Sequence, residues 1–408
     1  MTVPPIAFTT EEPTFTHRLA LPSPAEVASW RLDVPARGAC YMLVDPSDRP
    51  ILLATTRNLR SSLVNRMDRR DGEGTDRRTD YAAVTGAVYW RPAFSRFEAD
   101  WAHLELARRF VPGSYRTMVE HRRAWWLHVD PEARHPRFIV RRRNARSDNK
   151  EPRPGCWIGP VATRAAGRAA IETLEELFDL CRYFDVLREA PHGAACAYKE
   201  MGKCPAPCDG SVSMASYRRQ IEAARAVVSG GLDAWREART EAMREAARGL
   251  DFESAARIKS KLEQASALEA EALAMAGPIE RFRRLALMPG RRRGCVRAFA
   301  VLPGRIAFLG ECQKRSRERQ LAWLAGQAGW WLETMSAGAG PAAEERLELA
   351  AWHLMRPTDQ REGRFLAPEE ASDVERLGEA VEAVGGSTTR STTRRGTAKP
   401  GAEADAAG

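Results

Sequence analysis

The sequence predicts an α+β chain made of several units. Three observations carry this. Short strand-like runs separated by turn clusters begin after residue 35, a helical pattern folds back around Gly249-Leu250-Asp251, and strand patterns return after Arg284. At 408 residues the chain is long enough for two to four domains. The expected architecture is a small α/β domain, a Cys-rich helical middle segment, an antiparallel helical hairpin and a small C-terminal α/β segment.

Residues 1–35 carry six prolines and little periodicity, so 1–34 is expected to be an irregular arm. Residues 39–44 and 50–55 read as two strands around the turn cluster Asp45-Pro46-Ser47-Asp48. Helical spacing over 58–67, a third strand over 82–90 and an amphipathic helix over 98–110 complete a unit at 35–115. Residues 116–155 are expected to be a basic connector, with nine arginines against three carboxylates up to 146 and a linker over 148–155. A Cys-rich segment follows at 156–213, opening with a helix at 163–181, and then a helical region at 214–275. Within it, 214–228 is a helix broken by Ser229-Gly230-Gly231, and 232–248 and 252–274 form the hairpin. A strand and helix segment at 276–384 holds strands at 295–301 and 305–310 and two helices to about 355. Residues 385–408, rich in Gly, Ser, Thr and Arg, are expected to be disordered.

No apolar run is long enough to span a membrane, and the first residues carry no basic-then-apolar leader. A cytoplasmic protein with no membrane partner is expected. The net charge of +9 and pI near 9.3 suit a polyanion partner, although a solvated Arg-rich surface would give the same totals. Arg122, Arg123, Arg137, Arg141, Arg142 and Arg143, interleaved with Trp125, Trp126 and Phe138, are the candidate DNA contacts. Guanidinium groups suit phosphates, and aromatic rings suit unstacked bases.

Four of the eight cysteines, Cys181, Cys196, Cys204 and Cys208, fall within one short stretch. A cytoplasmic chain is not expected to pair them as disulfides. The run Cys204-Pro-Ala-Pro-Cys208 holds two thiols on a proline-braced loop, which suits an iron–sulfur cluster; four thiolates equally suit tetrahedral zinc. Unliganded small hydrophobes are the remaining possibility.

These residues resemble a known family. The stretch from Cys196 through Tyr198, Gly202, Lys203 and Cys204 to Ala206-Pro207-Cys208 and Gly210 is similar to the middle segment of UvrC proteins, which ends in GRCxAPCxG. Trp157-Ile158-Gly159-Pro160 resembles that family's FGPY, and Leu174 to Phe178 its LxxLF helix. The resemblance implies a [4Fe–4S] cluster. Cys196, Cys204 and Cys208 match three of its ligands, and Cys181 lies two residues from the fourth position, which Tyr183 occupies.

Gly249-Leu250-Asp251-Phe252-Glu253-Ser254-Ala255-Ala256-Arg257-Ile258-Lys259 resembles the UVR motif shared by UvrB and UvrC. Asp251 is a good N-cap for the second helix. Phe252, Ala255, Ala256, Leu262 and Ala265 line one face, and the small residues Ala242 and Ala246 let the first helix approach. The resemblance implies a UvrB-like partner, bound through Leu250, Phe252, Ala255, Ala256 and Ile258.

The N-terminal unit resembles a GIY-YIG nuclease domain, anchored on Thr56-Arg57-Asn58-Leu59-Arg60 and on the helix that runs to Pro112. That chemistry needs tyrosine, arginine and a metal-binding glutamate. Carried over singly, the first tyrosine is Tyr41, the second falls on Leu52, the arginine on Ser62, the glutamate on His103 and the asparagine on Tyr115. A leucine takes no proton and a serine carries no charge, so a decayed nuclease centre is expected. Glu105 with Arg60 or Arg66 could rescue the metal and charge roles. The family continues into an RNase-H-like nuclease and helix-hairpin-helix elements, and the residues beyond 275 are too few for both.

Three functions follow. The first is a repair protein that binds DNA and a UvrB-like partner without nuclease activity. The second is an active Mg²⁺- or Mn²⁺-dependent endonuclease making a single incision in damaged DNA. The third is a protein–protein adaptor that does not act on DNA.

Overall fold

The computed structural model describes residues 13–21, 30–67, 81–115, 117, 124–143, 154–270, 273, 275–315 and 318–386. The chain is α+β, as the sequence predicts, and is built on three four-stranded antiparallel sheets.

The first sheet has the order β1-β4-β2-β3, from β1 (His17–Ala20), β2 (Ala39–Val44), β3 (Pro50–Thr56) and β4 (Ala87–Pro92). Every residue of β2 is buried because helices cover both faces. Tyr41 and Leu43 pack with Leu59 and Leu63 of α1 (Leu59–Met67), while Cys40 and Met42 pack with Ala102 and Leu106 of α2 (Arg96–Phe110). Two local expectations change. The arm contributes β1 to the sheet, and residues 81–84 are a helical turn, so the third strand starts at Ala87.

The second sheet, β6-β5-β7-β8, comprises β5 (Trp125–Val129), β6 (Ile139–Arg141), β7 (Cys156–Val161) and β8 (Gly277–Pro278). The stretch expected to be a basic connector therefore supplies two of its strands. Its aromatic and β-branched residues bury themselves while its arginines edge the sheet. Leu127, Val129, Ile158 and Val161 pack against Ile171, Leu174 and Leu177 of α3 (Arg164–Leu177) and against Tyr217 and Ile221 of α4 (Met214–Ala226). Thr163 caps α3 by accepting from the Ala166 amide.

The third sheet, β11-β10-β9-β12, comprises β9 (Arg284–Pro289), β10 (Cys295–Leu302), β11 (Arg305–Gln313) and β12 (Arg364–Leu366). One face is covered by α7 (Glu318–Thr334) and α9 (Val374–Gly386). The other is covered by α8 (Pro341–Leu354) and by α2 again, through Phe97, Trp101 and Leu104. Helix α2 thus lies between the first and third sheets. The second sheet joins the third through buried Glu348, whose carboxylate accepts from the Trp126 indole at 2.8 Å and the Ala124 amide at 3.0 Å.

Between α4 and the hairpin, Gly230 at φ 109° turns the chain where the sequence places a break. The hairpin is α5 (Leu232–Arg248) and α6 (Phe252–Gln264); the latter ends ten residues before the expected limit and passes into a 3₁₀ turn. Helix α9 runs through Gly385 and Gly386, where the disordered tail was expected to begin; the rest of that tail lies outside the described residues. No helix among the described residues is long and apolar enough to cross a membrane.

Candidate functional site

The thiol-rich loop is organised by α3 and α4. Past Leu177 the chain reverses at Asp179, which has φ 53°. The Cys181 amide then donates to the buried Tyr217 hydroxyl at 3.1 Å. That anchor turns the Cys181 thiol toward Cys204 and toward the Tyr183 carbonyl, 3.4 Å away. The hydrogen bond between the two thiols lowers Cys204 to about 6 and raises Cys181. Burial raises Cys208, whose thiol faces the Ala194 carbonyl.

The proline brace works through backbone geometry. Ala206 sits at φ 55° between its two prolines, and Pro207 opens a 3₁₀ turn that carries Cys208. Lys199 clips this turn to the one that starts at Cys196, donating to Asp209 and Ser211, both at 2.6 Å, which holds the Asp209 carboxyl at about 2. Cys181, Cys204 and Cys208 come within electrostatic reach of one another, whereas Cys196 is half-exposed and enters none of these interactions. Among the described residues no three ligating side chains are grouped so as to hold a metal ion. The donors fit a thiolate-bound centre in kind, but their present spacing does not complete one.

The expected nuclease positions separate into two places. Tyr41 is fully buried, and its hydroxyl meets Ser62 at 3.1 Å and the Arg66 Nε at 2.8 Å. Arg66 lies one helical turn beyond Ser62, so it brings a guanidinium to the tyrosine that Ser62 cannot supply. Arg60 is used otherwise, donating to the Val34 carbonyl at 2.8 Å. Leu52 is half-buried core on the adjoining strand. Glu105 does not rejoin this group. It sits on α2, across the sheet from Tyr41, and both its oxygens are engaged, by Arg346 at 2.6 and 2.9 Å and by Arg108 at 3.0 Å. His103 is buried on the same helix, and Tyr115 packs at the edge of that core.

The hairpin projects from the middle of the chain. Neither α5 nor α6 has a buried residue. Its base is fixed by Lys261, which donates to Asp179 at 2.8 Å and to the Leu177 carbonyl at 3.1 Å, and by Arg236, which pairs with Glu269. At its tip Leu250 takes φ 58°, and Asp251 caps α6 by accepting from the Ser254 amide at 3.0 Å. Leu250 and Phe252 are 74% and 65% exposed, large apolar groups with no cover of their own. Ala255 and Ile258 are half-buried between the helices, while Ala256 faces solvent.

The arginines of 116–146 divide. Arg137 stacks on Phe184 at 3.6 Å and Arg142 on Trp125 at 4.6 Å, both exposed. Arg143 turns inward, pairing with Glu344 at 3.2 Å, and Arg141 is half-buried in β6. Arg122 and Arg123 lie outside the described residues. Arg164, which joins Arg142 over Trp125 at 5.9 Å, and Arg188, which joins Arg137 over Phe184 at 5.6 Å, were not singled out from the sequence. Their signal was available only as exposed arginines near helix ends, well downstream of the basic stretch.

Residues 124–227 match the family described as the UvrC/Cho excinuclease middle domain. UvrABC system protein C of Trichlorobacter lovleyi is 25% identical over 228 residues, 56% of this chain and 36% of that protein. The same protein of Trichormus variabilis is 23% identical over 286 residues, 68% of this chain and 44% of its own. A Mycobacterium tuberculosis protein, named for a bifunctional exonuclease/endonuclease, is 26% identical over 336 residues, 79% of this chain and 48% of that protein. The chain spans less than half the length of these relatives. No solved structure matches it. The stretch that encloses the thiol loop is thus similar to the UvrC/Cho middle domain, and the chain resembles UvrC proteins over part of their length.

Proposed function

We propose that this protein serves nucleotide excision repair as a DNA-binding, non-nicking relative of UvrC that docks a UvrB-like partner in the cytoplasm. The observation that carries the proposal is the hairpin, which leaves Leu250 and Phe252 uncovered at a capped, rigid tip. An exposed apolar pair of this kind is a helix-docking surface. Similarity to excinuclease subunits supports a UvrB-like partner. DNA would run along Arg137, Arg142 and Arg164, whose stacking on Phe184 and Trp125 orients them toward solvent. The separation of Tyr41 from Glu105, which lies across the sheet in ion pairs, supports the reading without nicking.

The thiol loop would hold a [4Fe–4S] cluster, or zinc, on Cys181, Cys204 and Cys208, with Cys196 as the fourth thiolate. Such a centre would supply structural cross-linking. The residues themselves already join the end of α3 to the proline-braced turn.

Titration calorimetry with a UvrB-like protein tests the docking. Phe252→Ala should weaken binding about tenfold or more, and binding equal to wild type would remove the proposal. The Tyr41–Arg66 contact favours a second reading, a Mg²⁺- or Mn²⁺-dependent endonuclease making a single incision. Nicking of damaged duplex that is lost on Arg66→Ala would establish it.

A further inference from the structure

We propose that the outer edge of the C-terminal sheet binds single-stranded nucleic acid, through a row of basic side chains and two exposed tryptophans. This surface is separate from the hairpin and the middle-domain arginines, and it does not depend on either.

The basic part is a loop. Between β9 and β10 the chain runs Gly290-Arg291-Arg292-Arg293-Gly294. The loop is closed by the Gly290 amide donating to the Cys295 carbonyl at 2.8 Å and the Cys295 amide donating to the Arg292 carbonyl at 2.9 Å. Gly294, at φ 86°, takes a conformation that favours glycine. All three arginines are exposed. The Lys314 amide donates to the Gly294 carbonyl, which brings Lys314 and Arg315, also exposed, beside the loop. Arg319 follows in the first turns of α7 and is exposed as well. The carboxylates nearby are Glu311, which is held by Arg297 at 3.4 Å and the Arg291 amide at 3.3 Å, Glu318, and Glu382 of α9, one turn before Gly385, which packs against Lys314. Six cations against three carboxylates, one of them already paired, leave a positive edge.

The aromatic part continues along α7 from Arg319. Trp323 lies one turn further on and Trp330 two turns beyond that, so the three side chains form one stripe. The opposite face of the helix, with Leu324, Ala325, Ala328, Trp331 and Leu332, is buried against the sheet. Trp323 and Trp330 are 41% and 39% exposed. Each indole is braced. Trp323 lies beside Gly310 of the edge strand β11, where a Cβ would stand 3.6 Å from its ring, and Trp330 packs edge-on against Trp331 with centroids 5.8 Å apart. Gly326 lies between them with open space where its Cβ would be. Seven residues of helix separate the tryptophans by about 10 Å. That is roughly three stacking steps of about 3.4 Å each. Rings set this way need bases with free faces, which a single strand offers and an intact duplex does not. A backbone leaving the tryptophans toward Arg319 would meet the loop arginines.

The test is fluorescence anisotropy of the full chain with labelled oligothymidylate and oligouridylate of about 16 nucleotides, a duplex of the same length and polyglutamate. The wild type should bind the single strands more tightly than the duplex, and whichever strand binds tighter identifies the source, DNA or RNA. Trp323→Ala and Trp330→Ala should each weaken single-strand binding about tenfold, and Trp323→Phe should recover most of the loss. The triple change Arg291→Ala, Arg292→Ala and Arg293→Ala should reduce the salt slope by about 2. Arg142→Ala, in the middle domain, should leave oligothymidylate binding on this edge intact, which keeps this surface distinguishable from the one proposed above. The inference fails if the double tryptophan variant, folded by circular dichroism, binds oligothymidylate and oligouridylate like the wild type. It also fails if polyglutamate binds as tightly as the single strands, which would make the edge a dock for an acidic protein. Should the double variant not fold, an unchanged salt slope in the loop variant overturns the inference instead.

Discussion

Helix α2 and the hairpin helices α5 and α6 are the extremes of this molecule. Eleven consecutive residues of α2, from Phe97 to Ala107, are buried, whereas α5 and α6 bury none. All three mix charged and apolar residues and are of ordinary length. The difference lies in what covers them. Two sheets close on α2, whereas α5 and α6 have each other and, at the base, the Lys261 and Arg236 anchors and the packing of Leu232 and Trp235 on the middle core. The comparison teaches that burial here follows the number of neighbours rather than the polarity of the helix. It also shows why the charged residues of α2 became structural while the apolar residues of the hairpin stayed available.

The largest effect should come from emptying the space between the sheets. Trp101→Ala removes a ring that meets Phe299 edge-on at 6.0 Å, and should cost about 3–5 kcal/mol in a denaturant melt. A loss below about 1 kcal/mol would mean that α2 is not clamped from both sides. Next, Glu105→Gln leaves Arg346 and Arg108 without their shared carboxylate. It should cost about 3 kcal/mol, because Arg346 loses its bidentate carboxylate, while Arg108 keeps Glu345 at 2.8 Å. If instead the protein keeps its stability and loses a metal-dependent activity, Glu105 is a ligand and the comparison breaks. On the hairpin, Leu250→Ala should shift stability by no more than about 0.5 kcal/mol, since the side chain is already in water. A measurable loss of partner affinity without a change in melting temperature would sharpen the contrast.

The smallest effect is chemical. In metal-free protein Cys204 should be alkylated by iodoacetamide with a rate that rises through about pH 6, because its thiolate is favoured by the Cys181 hydrogen bond. Fully buried Cys40, pushed upward chiefly by burial, should stay unreactive through neutral pH. A Cys204 profile centred near the ordinary thiol range would remove the Cys181 contact, and Cys181→Ser should restore that ordinary profile.

Much of the local structure was legible. The hairpin turn at Gly249-Leu250-Asp251, the break at Gly230, the β2–β3 pair and the β10–β11 pair follow from turn chemistry and period, which act over a few residues. The connector was not legible as strands. Its arginines dominate its composition, and burial of Trp126 and Leu127 is decided by partners such as Glu348, more than two hundred residues away. The site was half legible. Clustering and the proline brace pointed to the cysteines, but the pairing of Cys181 with Cys204 depends on Tyr217 of another helix anchoring the Cys181 amide. Arg66 could be reached from the sequence only as one of two shifted alternatives, and only the position of α1 over Tyr41 chose it over Arg60.

By itself, then, the sequence determined the kinds of element, the caps and breaks between them, and the residue types able to do chemistry. Those depend on backbone preferences and side-chain spacing, which each segment carries within itself. The tertiary structure decided which arginines face solvent and which are spent on Glu105 and Glu344, which face of each helix is covered, and which thiols meet. A periodic pattern marks an apolar face but does not name the segment that will cover it. That choice rests on contacts between segments far apart in the chain, whose closure is set by the packing of all three sheets together.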